Sequence, residues 1–274
     1  MKAVLTTVAW VVFCFTSAST QAQSFLEFDG DDMVTIPDSA SLNPTQITVE
    51  CRVNFARLAD GATTSTSDRA QQLLGKGNDR TPGAYYLRQF GDTLALGVGE
   101  VSGDWSVAGT VPLETNRWYH VAGTYDGGTL GLYLDGEPIG AQVVGVADIG
   151  TASPLLLGHH SLNNGGIDWD YFLTGLMDEV AIWDYARGID GIRETMNGDV
   201  LTGAEPGLMG YWGFDEPLSS QAVLDATANG NDGYLGAIAS PDNADPARVP
   251  EPSTATLLCM GVFGLLACTR RKKR

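Results

Sequence analysis

The run Ile47 to Phe55 (ITVECRVNF) sets Ile47, Val49, Cys51, Val53 and Phe55 on one side of an extended chain and mostly polar residues on the other. That period of two suits a strand and not a helix. Similar stretches follow at Trp118 to Tyr125, Thr129 to Leu134, Leu155 to Gly158 and Leu173 to Trp183. Asp126-Gly127-Gly128 and Asp135-Gly136 punctuate them as hairpin turns. Only Arg187 to Asn197 carries a helical pattern, and it is short. Strands separated by frequent turns predict an all-β sandwich or jelly roll of two antiparallel sheets. The 34 glycines and the small charged fraction, 18%, agree with a turn-rich, helix-poor chain.

The formal net charge is −17. Six of the 16 cations, Lys2 and the run 270–274, lie at the extreme ends; without them 10 cations face 33 acids, a net of −23. Such a surface repels nucleic acid and anionic headgroups, so no nucleic-acid partner is expected. It suits solubility outside the cell, and binding of cations and of neutral or cationic partners. Of the four cysteines, Cys14, Cys259 and Cys268 lie in apolar terminal stretches, which leaves Cys51 alone in the body. No disulfide can form there, and Cys51 is expected as a small buried hydrophobe. Stability must come from the core or from a bound ion.

Both ends read as processing signals. Met1-Lys2 precedes the apolar stretch Ala3 to Phe15, and Thr20-Gln21-Ala22 offers a cleavage site, so residues 1–23 are expected as a secretory signal peptide. At the other end Pro250-Glu251-Pro252 is followed by the apolar segment Ala255 to Cys268 and then Arg-Arg-Lys-Lys-Arg. As a helix that segment is about 21 Å long, a marginal span that allows transient insertion in the inner membrane, with the basic cluster left in the cytoplasm. Motif, apolar helix and basic stop, in that order, resemble the PEP-CTERM sorting signal over residues 250–274. The resemblance implies a Gram-negative-type bacterium that makes exopolysaccharide. It also implies cleavage by an exosortase-type membrane protease, and a final place at the cell surface or in the extracellular matrix.

The body, residues 24–240, is expected to be one domain, with 241–249 (PDNADPARV) as a linker because it lacks a core pattern. Leu26-Glu27-Phe28-Asp29-Gly30 with Val34-Thr35-Ile36-Pro37 resembles the opening of a laminin-G-like domain. The run 116–127 (NRWYHVAGTYDG) and Leu132-Tyr133-Leu134-Asp135-Gly136 are similar to its central hairpin, and 172–183 (FLTGLMDEVAIW) to its closing strand. These blocks occur in order over about 160 residues. They imply a concanavalin A-like jelly roll of the laminin-G kind. One segment is out of the usual order: Gly210 to Glu216 and Asp225 to Gly233 resemble an opening segment but follow the closing strand. It is expected to supply an edge strand from the other terminus rather than to be the relic of a second repeat.

The resemblance implies a structural calcium ion held by the Asp178 carboxylate and by carbonyls near Asp29, Gly30 and Gly75. A hard cation wants oxygen ligands, and it would tie distant segments together. Asp29, Asp31 and Asp32 form a tighter acidic group within a turn. For a glycan, which is held by flat aromatic faces beside planar hydrogen-bonding groups, the candidates are Tyr85, Tyr86, Arg88, Trp105, His159, His160, Asn163, Asn164, Trp169 and Tyr171.

Catalysis is not expected. Glucanases of this fold carry two Glu flanking an Asp on one strand, and no strand here does. Asp178-Glu179 is an adjacent pair, expected to face opposite sides. There is no Gly-x-Ser-x-Gly elbow, no zinc-ligand spacing and no phosphate loop. Of the three histidines, His120, His159 and His160, the first falls in the hairpin pattern and is expected to be structural. The sequence therefore points to an exported lectin-like module that binds a glycan or exopolysaccharide. The alternatives are a structural or protein-binding surface module and a degenerate glycoside hydrolase.

Overall fold

Ile47 to Phe55 is a single strand, and all five residues of its apolar side are fully buried. The computed structural model describes residues 23–61, 69–77, 82–100, 103–147, 149–164, 167–197 and 201–251; the side chains of 100, 103–105, 161–164 and 167–170 are outside that description. Most of the expected signal peptide, and Pro252 with the apolar segment and basic tail, also lie outside the described residues.

In chain order the strands are β1 (Ser24–Asp29), β2 (Val34–Ile36), β3 (Ile47–Phe55), β4 (Gln71–Lys76), β5 (Tyr85–Phe90) and β6 (Thr93–Glu100). There follow β7 (Gly103–Thr110), β8 (Trp118–Tyr125), β9 (Thr129–Leu134), β10 (Glu137–Val143), β11 (Leu155–Leu157), β12 (His159–Asn164), β13 (Ile167–Phe172) and β14 (Thr174–Trp183). After the helix α1 (Ile189–Met196) come β15 (Leu208–Trp212), β16 (Ala222–Val223), β17 (Gly233–Leu235) and β18 (Ala247–Pro250). The first sheet runs β10-β9-β8-β3-β14-β1-β18, with β15 also on β14; the second runs β16-β17-β2-β11-β4-β5-β6-β7. Every pairing is antiparallel. The sheets close on one apolar core, to which the first contributes Val49, Val53, Val121 and Ile182 and the second Leu74, Leu87, Leu96 and Leu155. Each such side chain stabilises by about 1.5–3 kcal/mol on burial. The chain is a jelly-roll sandwich of two antiparallel sheets, as the alternating runs imply.

Turn chemistry sets the register locally. Asp126 Oδ1 accepts the N–H groups of Gly128 and Thr129, which closes the β8–β9 hairpin. Asp135 and Gly136 both have positive φ between β9 and β10, the conformation a two-residue hairpin turn needs. Cys51 is buried and free, and burial together with the Glu50 charge pushes its thiol up to about 12, so it is inert packing.

The out-of-order segment joins both sheets. β15 lies on β14, β16–β17 form the edge of the second sheet beside β2, and Asp225 ties the turn between them by accepting from Tyr211 N–H, Thr227 N–H and Asn231 N–H. The stretch expected as a linker is not one throughout: from Ala247 it is β18, paired with β1. Hydrophobicity does not announce this strand, because its buried residue is a cation. Arg248 donates to the carbonyls of Phe214 and Ala222 and pairs with Glu216 at 2.6 Å.

Candidate functional site

Alternation along β5 divides two adjacent tyrosines. Tyr85 points inward, is fully buried and donates to the Leu42 carbonyl, so it is a core residue and not a sugar contact. Tyr86 and Arg88 lie on the outer face, where the Arg88 guanidinium sits 3.5 Å over the Tyr86 ring and 5.7 Å from the Tyr171 ring. A desolvated cation–π contact of this kind is worth about 2 kcal/mol. The Tyr86 ring crosses Gly97 so closely that a Cβ there would come within 2.1 Å of it.

Tyr171 belongs to the hairpin β12–β13, which pairs only with itself among the described residues. Opposed residues stack across it: His159 on Phe172 at 4.2 Å, and His160 near Tyr171 at 6.2 Å. Gly158 is its pivot. Its N–H donates to Leu73 O, its carbonyl accepts from Leu173, its φ is +75°, and a Cβ would lie 2.3 Å from the Phe28 ring. The structure thus brings Tyr86, Arg88, His160 and Tyr171 into one buried aromatic and cationic root, with His159 beside it on Phe172. The side chains of Trp105, Asn163, Asn164 and Trp169 lie outside the described residues; Asn163 and Trp169 are on the hairpin strands, whereas Trp105 is on β7 opposite Val98.

The outer face of the first sheet carries a buried ionic cluster that sequence reasoning did not find. Glu50 Oε1 accepts from the Arg187 guanidinium at 2.6 Å, and Oε2 accepts from Thr195 Oγ1 at 2.7 Å and stands 3.1 Å from His120 Nε2. Burial pushes the Glu50 carboxyl up, but the His120 bond and the charges of His120 and Arg187 together hold it below its ordinary value. Arg187 also lies 4.0 Å over the Trp183 ring. The cluster, with His120 in it, staples α1 to the sheet. Beside it Glu50, His120, Glu179, Thr195 and Tyr211 line a cavity of about 10 Å³, room for one water.

Asp178 and Glu179 do not face opposite sides. Met177 and Val180 are both in the core, three residues apart, and between Asp178 and Ala181 the register with β3 slips, so the strand bulges. Glu179 takes a positive φ, and both acids end on the outer face. Burial first, and then the Glu179 charge, pushes the Asp178 carboxyl up to about 8. Glu179 is also raised by burial, with Arg52 at 3.6 Å opposing the shift.

The register also separates the proposed calcium ligands. Asp29 pairs with Thr174, four residues before Asp178, which puts the two about 13 Å apart along the strands, and Gly75 is in the other sheet opposite Tyr86 and Leu156. Asp29, Asp31 and Asp32 do converge, each offering a carboxylate oxygen within 4.8 Å of the others. Asp32 is buried and pushed up to about 7 by that burial, and its Oδ2 accepts the Asp29 N–H. The Asp31 hydrogen bond lowers Asp29, and Asp31 is raised in return. This all-oxygen group can bind a metal and fits a hard divalent cation.

Residues 28–193 match the family model described as the concanavalin A-like lectin/glucanases superfamily, and the chain belongs to that family. Residues 248–272 match the PEP-CTERM protein-sorting motif, the mark of an exported protein sorted to the cell surface. No curated protein matches the chain. Among solved structures it is similar to a candidate carbohydrate-binding protein from Bacteroides ovatus (23% identity, TM-score 0.59, covering 82% of this chain and 61% of that one). It is also similar to a heptameric SAP-like pentraxin from Limulus polyphemus (17% identity, TM-score 0.47, 65% and 84% covered). A third neighbour is the sialidase CBM40 of Ruminococcus gnavus, bound to α2,3-sialyllactose (15% identity, TM-score 0.46, 62% and 96% covered). This chain spans about three fifths of the Bacteroides protein's length.

Proposed function

We propose that this is a non-catalytic surface protein whose sandwich binds a glycan or exopolysaccharide through the hairpin β12–β13. The observation that carries the reading is the root of that hairpin. A polar and aromatic segment (HHSLNNGGIDWDYF) leaves the second sheet at Gly158, whose N–H donates to Leu73 O, and meets the outer face where the Arg88 guanidinium lies between the Tyr86 and Tyr171 rings. The root residues are buried; Asn163, Asn164 and Trp169 on the hairpin strands, with Trp105 on β7, are the remaining sequence candidates for sugar contact. Membership of a lectin and glucanase superfamily supports the reading.

The absence of catalysis is part of the proposal. A glycosidase needs two carboxylates with room between them for the scissile bond and, in inverting enzymes, for a water. Here both Glu50 oxygens are bonded, and the cavity beside Glu179 has space for one water. Incubation with a panel of β-glucans tests this: no hydrolysis is expected, and turnover lost in Glu179→Gln would overturn it.

The metal reading is a calcium ion on the Asp29, Asp31 and Asp32 carboxylates, of which Asp31 is raised by the Asp29 hydrogen bond and charge and Asp32 by burial, so a cation there would offset their crowding. On export the sorting motif is read by an exosortase-type protease, and the domain stays at the surface or in the matrix of a Gram-negative-type cell. An array of glycans probed with and without calcium tests the binding and the metal together.

A further inference from the structure

The sorting motif and the folded domain overlap. The motif match starts at Arg248, yet Arg248, Val249 and Pro250 are strand β18. Opposite them on β1 are Leu26, Phe25 and Ser24, and the pairing runs on past the strand, since Glu251 N–H donates to Gln23 O at 2.8 Å. β18 ends the first sheet. Pro250, which has no N–H, falls one residue from the hydrogen-bonded Gln23–Glu251 pair, at a position where β1 asks for no donor. Arg248 is anchored beneath by Glu216 and by the carbonyls of Phe214 and Ala222.

Resting on the sorting-motif match, we propose that β18 is a latch on its own processing. The domain's sheet occupies Pro250 and Glu251, so a membrane processing enzyme must draw 249–251 off β1 before the motif can enter its cleft. An enzyme that takes an extended peptide uses the backbone groups of successive residues, and here the Glu251 N–H is already spent on Gln23. The buried Arg248 is the stop: peeling reaches it and goes no further, so the rest of the sandwich remains folded while the tail is handled. A domain in which β18 has docked is thus a slower substrate than one still unfolded or frayed at this edge.

The test uses the full chain with both terminal segments. Phe25 and Val249 are direct partners in the register. As a hydrogen-bonded pair they have Cα atoms about 5.5 Å apart, within disulfide reach. Phe25→Cys/Val249→Cys, with its disulfide mapped by peptide analysis, is incubated in detergent with membranes from producing cells, and tail removal is followed by mass. The oxidised chain is expected to be shortened at least about tenfold more slowly than the same chain after reduction. Val249→Gly weakens the strand without touching the core, and is expected to be shortened about fivefold faster than wild type. Equal rates for the oxidised and reduced chains overturn the latch and leave the sorting reading standing. A wild-type chain that these membranes never shorten overturns the sorting reading and the latch with it.

Discussion

Arg187 reaches back from the start of α1 to Glu50 in the middle of β3, and the 2.6 Å bond between them is buried on both sides. Removing one partner of such a pair leaves the other charged and desolvated, which costs about 3–5 kcal/mol. Arg187→Ala is expected to lower the free energy of urea unfolding by about 3 kcal/mol, since His120 and Thr195 still face Glu50. Glu50→Leu/Arg187→Met is expected to recover much of that loss. A double variant as unstable as the single one would show that packing of α1, not the charge, sets the cost.

Asp178 gives a pH signature. Its carboxyl is raised from the usual value to about 8, so between pH 4 and pH 8 the folded chain holds a proton that the unfolded chain has lost. Stability therefore falls as pH rises through that window, with a limiting slope of ~1.4 kcal/mol per pH unit from this group, and levels off above it. Asp178→Asn is expected to flatten this fall in Tm between pH 5 and pH 8 in chelator. An unchanged slope would show that other groups carry it.

Calcium should raise Tm through the Asp29 loop. Asp31→Asn, on an exposed member of the cluster, is expected to abolish most of the calcium-dependent rise while changing Tm in chelator by a degree or two. Asp178→Ala is expected to leave the calcium-dependent rise in place. The opposite pattern would move the ion to β14.

Gly158→Ala places a methyl 2.3 Å from the Phe28 ring in a left-handed backbone conformation. The expected loss is about 2–4 kcal/mol, measured by thermal unfolding, with the 159–172 hairpin cut faster by limited proteolysis. A loss below about 1 kcal/mol would mean that the pivot adapts.

Strand bounds were legible where one face is apolar: the runs from Ile47, Trp118 and Thr129 coincide with β3, β8 and β9. Failures came where polar atoms take the place of hydrophobes. β18 is fixed by Arg248 and the second sheet's edge by Asp225, neither of which leaves a periodic trace. The bulge did leave one, for Met177 and Val180 break the alternation by standing three apart. Tyr85 and Tyr86 could be told apart only through the parity of β5, which Leu87 fixes. In the candidate site Arg88, His160 and Tyr171 were legible as types, but not that they would be buried as a root. Glu50 with Arg187 was invisible because its partners are 137 residues apart.

The most direct measurement is retention of residues 23–251 by soluble polysaccharides in affinity electrophoresis, followed by a glycan array. The account predicts that at least one polysaccharide retards the domain, and that Asn163→Ala/Trp169→Ala abolishes the retardation with Tm unchanged. A domain that no glycan retards, with or without calcium, or one whose retardation survives that double substitution, would contradict it.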